Sequence, residues 1–227
     1  MAHYVIADLH GEADRFHQLL TLISFSSSDV MYIIGDVIDR GPSGIQLLLE
    51  IMSTSNLVLL LGNHEYMMTQ FFSPNATELD HRRWNRNGNS PTLSAFSALT
   101  SVQQSKVLAF LRQLPSHLDV AVSGQRFHLV HGFPADNLHD EVWLRPEMDT
   151  VSPLSDAQVI LGHTNILSLC FPPEGREAAI ASMLERGEHL KIFHGAGFLD
   201  IDCGCGYDLP VKALSCVRLE DMAEFYV

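Results

Sequence analysis

The chain has only four cysteines in 227 residues, too few for a disulfide framework. Cys203 and Cys205 also lack the two-residue gap of a redox or zinc-knuckle pair, so reduced thiols and a cytoplasmic setting are expected. Basic residues are scarce as well: 14 Lys and Arg stand against 27 Asp and Glu, a formal charge of -13. Such a balance opposes the counterion release on which nucleic-acid binding depends, so no nucleic-acid partner is expected. No apolar run approaches the roughly 18 residues of a membrane span, and no basic segment leads into an apolar one at the N-terminus. A membrane partner is therefore not expected either. Internal repeats and low-complexity tracts are missing.

What remains is 46% apolar and 18% charged, the composition of a globular chain, which excludes collagen, coiled coil and disorder. A chain of this length buries roughly 70% of its unfolded surface, so it needs no structural zinc, and any metal should serve chemistry. To handle phosphate, so acidic a chain must reverse its field locally, with bound cations or a few arginines.

Short apolar runs alternate with helical patterns, which predicts an α/β fold with parallel strands in the first half. Strands are expected at Tyr4 to Ala7, Val30 to Ile34 and Leu57 to Leu61, and helices at Ala13 to Ile23 and Ile45 to Met52. From Phe72 to Ser101 polar and turn residues predominate, followed by a helix from Val102 to Leu114, so one domain over 1–227 with a cap at about 72–115 is expected. The second half looks more antiparallel: Leu118 to Val122 and Arg126 to Val130 flank Ser123-Gly124-Gln125 as a hairpin, and short strands fit 159–161, 198–201 and 213–219.

The informative residues stand where apolar runs end. Asp8-Leu9-His10 follows the first, Asp36 the second, Asn63-His64 the third, and His131 and His163 two later ones. In such sheets the functional crevice lies beyond the carboxyl ends of the strands, so these side chains should converge. Two aspartates, an asparagine and three histidines can hold two metal ions if one carboxylate bridges them. Nitrogen and oxygen donors without thiolate suit manganese, iron or zinc.

Asp8-Leu9-His10-Gly11, Gly35-Asp36-Val37-Ile38-Asp39-Arg40-Gly41 and Gly62-Asn63-His64-Glu65 resemble the signature motifs of the calcineurin-like metallophosphoesterases, and His131-Gly132 and Gly162-His163-Thr164 resemble that family's last two ligand motifs. Within the family the chain looks most like the lambda-type serine/threonine protein phosphatases of bacteria and bacteriophages. Asp39-Arg40-Gly41, Trp143-Leu144-Arg145 and Ile201-Asp202-Cys203-Gly204-Cys205 carry that closer likeness.

The resemblance implies a two-sheet β-sandwich flanked by helices. It implies two divalent ions, manganese foremost, with Asp8 and His10 on the first, Asp36 bridging, and Asn63, His131 and His163 on the second. His64 would be the catalytic acid, Asp39 its orienting carboxylate, and Arg40 and Arg145 the phosphate-gripping arginines. The implied reaction is hydrolysis of phosphomonoesters on phosphorylated protein or peptide substrates, by direct attack of a hydroxide held by both ions. Alternatives are a small-molecule phosphoesterase, such as a diadenosine tetraphosphate hydrolase, and, more remotely, a binding module without catalysis. The chain departs from the family pattern at Asn87-Gly88-Asn89, where relatives carry a second glycine; asparagine tolerates the positive φ such a position can require.

Overall fold

The computed structural model describes residues 1–227. Its elements run β1 (His3–Ala7), α1 (Ala13–Leu22), β2 (Val30–Ile34), α2 (Gly44–Ser53), β3 (Leu57–Leu59), α3 (Asn63–Phe71), α4 (Glu78–Arg86), α5 (Ser90–Ser97) and α6 (Ser101–Leu111). They continue with β4 (His117–Val122), β5 (Gln125–Val130), α7 (Leu138–Trp143), β6 (Gln158–Leu161), α8 (Ile166–Cys170), α9 (Arg176–Glu185), β7 (Phe193–His194), β8 (Phe198–Asp200), β9 (Ser215–Arg218) and β10 (Ala223–Tyr226).

Two five-stranded mixed sheets form, in the orders β10-β9-β1-β2-β3 and β4-β5-β6-β8-β7. Their stacking follows from the period-2 alternation of β1. Tyr4 and Ile6 enter a core shared with α1, α2 and the helices from α3 to α6. Val5 and Ala7 face the opposite way, into a core with Phe127, Leu129, Ile160 and Leu199 of the second sheet. Tyr4 to Ala7 thus pack alternately into two layers, as expected for a two-sheet α/β sandwich flanked by helices. Cys205 lies in the first core and Cys203 in the second, both as free thiols.

Three expectations need correction. The polar stretch read as turns holds two helices, α4 and α5. α4 opens on a capping box in which Thr77 and Asp80 satisfy each other's backbone N–H, and α5 opens with Pro91 in its first turn. Their few apolar residues, Trp84 and Phe96, pack with Phe71 and Phe72 at ring separations of 4.9 and 4.8 Å. Three aromatic contacts of this kind outweigh a weak helical pattern. The second sheet is also less antiparallel than expected: β4 and β5 form the hairpin, but β5–β6 and β6–β8 pair in parallel. An apolar run carries no direction, and connections as long as 131–157 and 162–197 permit the crossovers that parallel pairing requires.

The hairpin closes through two residues rather than three. Ser123 and Gly124 have φ of 51° and 82°, the positive pair that matches strand twist in a two-residue turn.

Phe127 is fully buried between the sheets. Phe127→Ala is expected to cost about 3–5 kcal/mol of stability, read as a lower urea midpoint at unchanged slope; a loss below about 1 kcal/mol would show that the sheets do not depend on this contact.

Candidate active site

Because β1, β2 and β3 are mutually parallel, and β5 and β6 likewise, their following loops gather at one edge. Asp8 and His10 come from the loop after β1, Asp36 to Arg40 from that after β2, Asn63 and His64 from the first turn of α3, and His131 and His163 from the ends of β5 and β6. Tight reversals deliver them. Six of the nine non-glycine residues with positive φ are Asp8, His10, Asp36, Asp39, Arg40 and His163, with φ between 42° and 71°. Such backbone costs of order 1–3 kcal/mol each and persists only where neighbours over-determine it. Here the loops pin one another: His10 N–H donates to Asp36 O at 2.8 Å, Gly11 N–H to Val37 O at 2.9 Å, and Gly41 N–H to His10 O at 2.9 Å. A Cβ at Gly62 or Gly162 would run into the carboxylate of Asp36 or Asp8, so glycine is required at both.

Asp36 stands at the centre. Its Oδ2 lies 3.5 Å from His10 Nε2 and 3.8 Å from His64 Nε2, and its Oδ1 lies 3.4 Å from His131 Nε2. Carbonyl oxygens fix two of the imidazole tautomers, since a carbonyl can only accept. His10 Nδ1 donates to Ile38 O at 2.9 Å and His131 Nδ1 to Ile34 O at 2.8 Å, which turns each Nε2 inward. His10 Nε2 is buried without a hydrogen-bond partner. Asn63 Oδ1 approaches His131 Nε2 to 2.9 Å. Asp8 Oδ2 accepts the His163 N–H at 3.0 Å, and its Oδ1 lies 3.9 Å from His10 Nε2.

Two groups here can hold a metal ion, His10 with Asp36 and His64, and Asp36 with His131 and His163. Asp36 belongs to both. The first group brings His64 alongside His10 and Asp36, where the sequence reading had Asp8 and assigned His64 elsewhere.

Electrostatics within the cluster is sharply divided. Burial, then the Asp202 carboxylate, holds Asp8 well above the usual carboxylate range. Burial raises Asp36 too, but His131, His64 and His10 outweigh it and hold Asp36 well below that range. Burial and neighbouring cations push His10 and His163 well below the ordinary imidazole value, so both are neutral, the form that binds metal. At His131 burial is outweighed by Asp36 and Asp8, which raise it to about 9.

His64 is positioned by a chain of contacts. Its Nδ1 meets Asp39 Oδ2 at 2.6 Å, the Trp84 indole N–H donates to the same oxygen at 2.7 Å, and Asp39 N–H donates to Thr92 Oγ1 at 2.8 Å. Arg40 Nη2 lies 3.3 Å from His64 Nε2, and its guanidinium sits 4.3 Å from the centre of the Tyr207 ring. Arg145, largely exposed, donates from Nη1 to His163 O at 2.7 Å. All ten expected residues therefore gather around one crevice. At Asn87-Gly88-Asn89 only Gly88 takes positive φ, 83°, while Asn87 and Asn89 have φ of −99° and −74°, so the missing second glycine is not needed.

Three residues escaped the sequence reading. Glu65 is fully buried, and its carboxylate accepts the N–H groups of Asp36, Val37, Ile38 and Gly62 at 2.8, 2.9, 3.3 and 3.2 Å. Its signal was its place beside His64, where a glutamate at the start of a helix can turn back on the preceding loop. Trp84 lay within the polar stretch, and nothing in the local sequence marks Tyr207.

A two-sheet sandwich with this crevice at its strand ends defines a metallophosphoesterase-type hydrolase. The family model described as calcineurin-like phosphoesterase matches residues 1–195, and the chain belongs to that family. It is 42% identical over 67 residues to a symmetrical bis(5'-nucleosyl)-tetraphosphatase of Wigglesworthia glossinidia brevipalpis, covering 29% of this chain and 25% of the relative. Over 75 residues it is 35% identical to the protein of the same name from Buchnera aphidicola subsp. Baizongia pistaciae, covering 32% and 27%. The match thus spans about a quarter of the length of these curated relatives. A crystal structure provisionally described as a diadenosine tetraphosphatase superimposes over 100% of this chain and 92% of its own, at TM-score 0.65 and 16% identity, a likeness of fold.

These relatives overturn the phosphoprotein phosphatase reading and its phosphorylated protein or peptide partners. The physical reason lies in what the distinguishing segments do. Gly41 is needed because a Cβ there would strike the His10 carbonyl and the Gly11 backbone, and the Trp143 carbonyl and ring pack against His163 at 3.2 Å and 5.9 Å. Both segments serve the packing of His10 and His163 and carry no information about a peptide.

Glu65→Gln replaces one of two carboxylate oxygens by a donor facing backbone N–H groups. It is expected to cost roughly 3 kcal/mol in urea unfolding; a change under about 1 kcal/mol would show that the loops do not depend on this carboxylate.

Proposed function

We propose that the chain is a small-molecule phosphoesterase that hydrolyses dinucleoside polyphosphates, splitting a tetraphosphate bridge at its centre. The observation that carries the two-ion part of this reading is the place of Asp36 in both metal-capable groups. The substrate class rests on the curated relatives. The donor set fits divalent ions: the inward His10 Nε2 lacks any other partner, and oxygen and imidazole donors without thiolate suit manganese, with iron and zinc as substitutes. Asp8 and His10 would hold one ion, Asn63, His131 and His163 the other, with Asp36 between them. Bound there, the ions would supply Lewis acidity, lowering the pKa of water and offsetting phosphoryl charge.

The chain's own residues perform the rest. Arg40 and Arg145 present planar guanidinium forks that orient phosphoryl oxygens better than an ammonium could. His64 delivers a proton from Nε2 to the departing oxygen, and Asp39 fixes the orientation of its ring through Nδ1. Arg40 Nη2, 3.3 Å from that Nε2, brings the guanidinium and the imidazole to bear on one phosphoryl group. Helices α4 and α5 form a cap whose Trp84 and Thr92 hold Asp39 in place.

With manganese and diadenosine tetraphosphate the protein is expected to release two ADP, resolved by ion-exchange chromatography. AMP with ATP, or turnover of p-nitrophenyl phosphate alone, would overturn the reading. His64→Asn should lower kcat about 10²–10⁴-fold while elemental analysis still finds two ions per chain; loss of an ion together with turnover would make His64 a ligand.

A further inference from the structure

Beyond Arg145 the chain turns through Pro146 to Asp149, and beyond His163 it runs through Thr164 into α8. These segments, with Phe171 and Tyr207, enclose a cavity of about 850 Å³, within the range of sites that take nucleoside-sized molecules. The cavity is continuous with the phosphate-handling residues. Arg145 on its wall is bonded to the His163 carbonyl, Thr164 is the next residue along, and Tyr207 carries the Arg40 guanidinium against its ring.

Its lining has a chemistry of its own. Thr164 is 5% exposed, and its Oγ1 is buried without a partner, so a hydroxyl able to donate and accept stands unused on the wall. Glu147 and Asp149 line the cavity as exposed carboxylates, which accept hydrogen bonds and repel additional phosphate. They suit a ribose diol or an amino-bearing base and oppose a polyphosphate tail. Tyr207 and Phe171 supply aromatic surface and Met148 a polarisable side chain, both of which favour a flat heterocycle.

We infer that this cavity is the nucleoside subsite: it takes the base and ribose of the nucleotide whose phosphate lies at Arg40 and Arg145. The assignment rests on the dinucleoside polyphosphate reading and adds to it the residues that recognise the organic part of the substrate. Thr164 bonds the ribose or base, Met148 covers the base, and the acidic wall keeps the phosphate chain on the arginine side.

The test compares wild type, Met148→Ala and Thr164→Val, each loaded with manganese, on diadenosine tetraphosphate and on p-nitrophenyl phosphate. Met148 is 55% exposed, so its truncation tests the subsite even where Thr164→Val fails to fold. In both variants the ratio of kcat/KM between the two substrates is expected to shift about fivefold against the diadenosine compound, mainly through KM. Adenosine, which has no phosphate, is expected to give saturation-transfer NMR signals with the wild type that weaken in Met148→Ala. Unchanged ratios in a wild type that does cleave diadenosine tetraphosphate, or no adenosine signal, would overturn the subsite and leave the activity standing. Failure of the wild type to cleave diadenosine tetraphosphate would overturn the activity and the subsite with it.

Discussion

The structure depends on accommodating buried negative charge. In a chain of formal charge -13, Asp8, Asp36, Asp39, Glu65, Asp200 and Asp202 are all at most 2% exposed in and beneath one crevice. An unpaired buried carboxylate costs several kcal/mol, so each needs protons, dipoles or cations. Glu65 is met by four backbone N–H groups and Asp39 by an imidazole and an indole. Asp36 has three imidazoles within 4 Å. Compensation is incomplete: burial pushes Asp8, Asp200 and Asp202 up and raises Glu65 to about 7, and one oxygen each of Asp39, Asp200 and Asp202 has no partner. Buried acids outnumber the cations that face them around Asp36, which is the condition for a site that draws in metal ions.

The same constraint explains the backbone. To bring carboxylates and imidazoles within 4 Å of one another, the loops after β1, β2 and β6 reverse through left-handed conformations at residues that are not glycine. The glycines occur one step away, at Gly35, Gly62 and Gly162, where a side chain would occupy the space of a functional group. Chemistry-bearing residues therefore carry the strain, and the glycines provide clearance. Interlocking hydrogen bonds between the loops, with Glu65 fastening the second and third, make the arrangement a single unit.

How far this was legible depended on whether the information was local. β2 was readable to the residue because Val30 to Ile34 is an unbroken apolar run between polar flanks, and the ligand-type residues were readable because they follow such runs directly. The direction of the second sheet's strands was not, since it is set by long connections. Trp84 and Tyr207 reach the site through packing of distant segments, and their neighbours in sequence give no hint of it. Substrate class was unreadable for a different reason: Gly41 and Trp143 had suggested a peptide phosphatase, yet both serve the geometry of His10 and His163.

That last distinction separates two kinds of recognition. On the function proposed above the motif residues meet only a phosphoryl group, and a phosphoryl group is the same on a protein, a sugar or a nucleotide, so selectivity must come from groups that touch something else. At long range the acidic surface opposes any polyanion, but at physiological salt that repulsion fades beyond about 8 Å, and on the same reading Arg40 and Arg145 supply the attraction felt at contact. They lie on the boundary between the metal-capable cluster and the cavity lined by Thr164, Met148 and Tyr207. Held at that boundary, a phosphate can be cleaved on one side only if what it is attached to fits on the other. On that reading the arginines couple a general phosphate chemistry to a particular leaving or retained group, and the segments 146–149 and 168–172 are free to diverge and change substrate without disturbing Asp36.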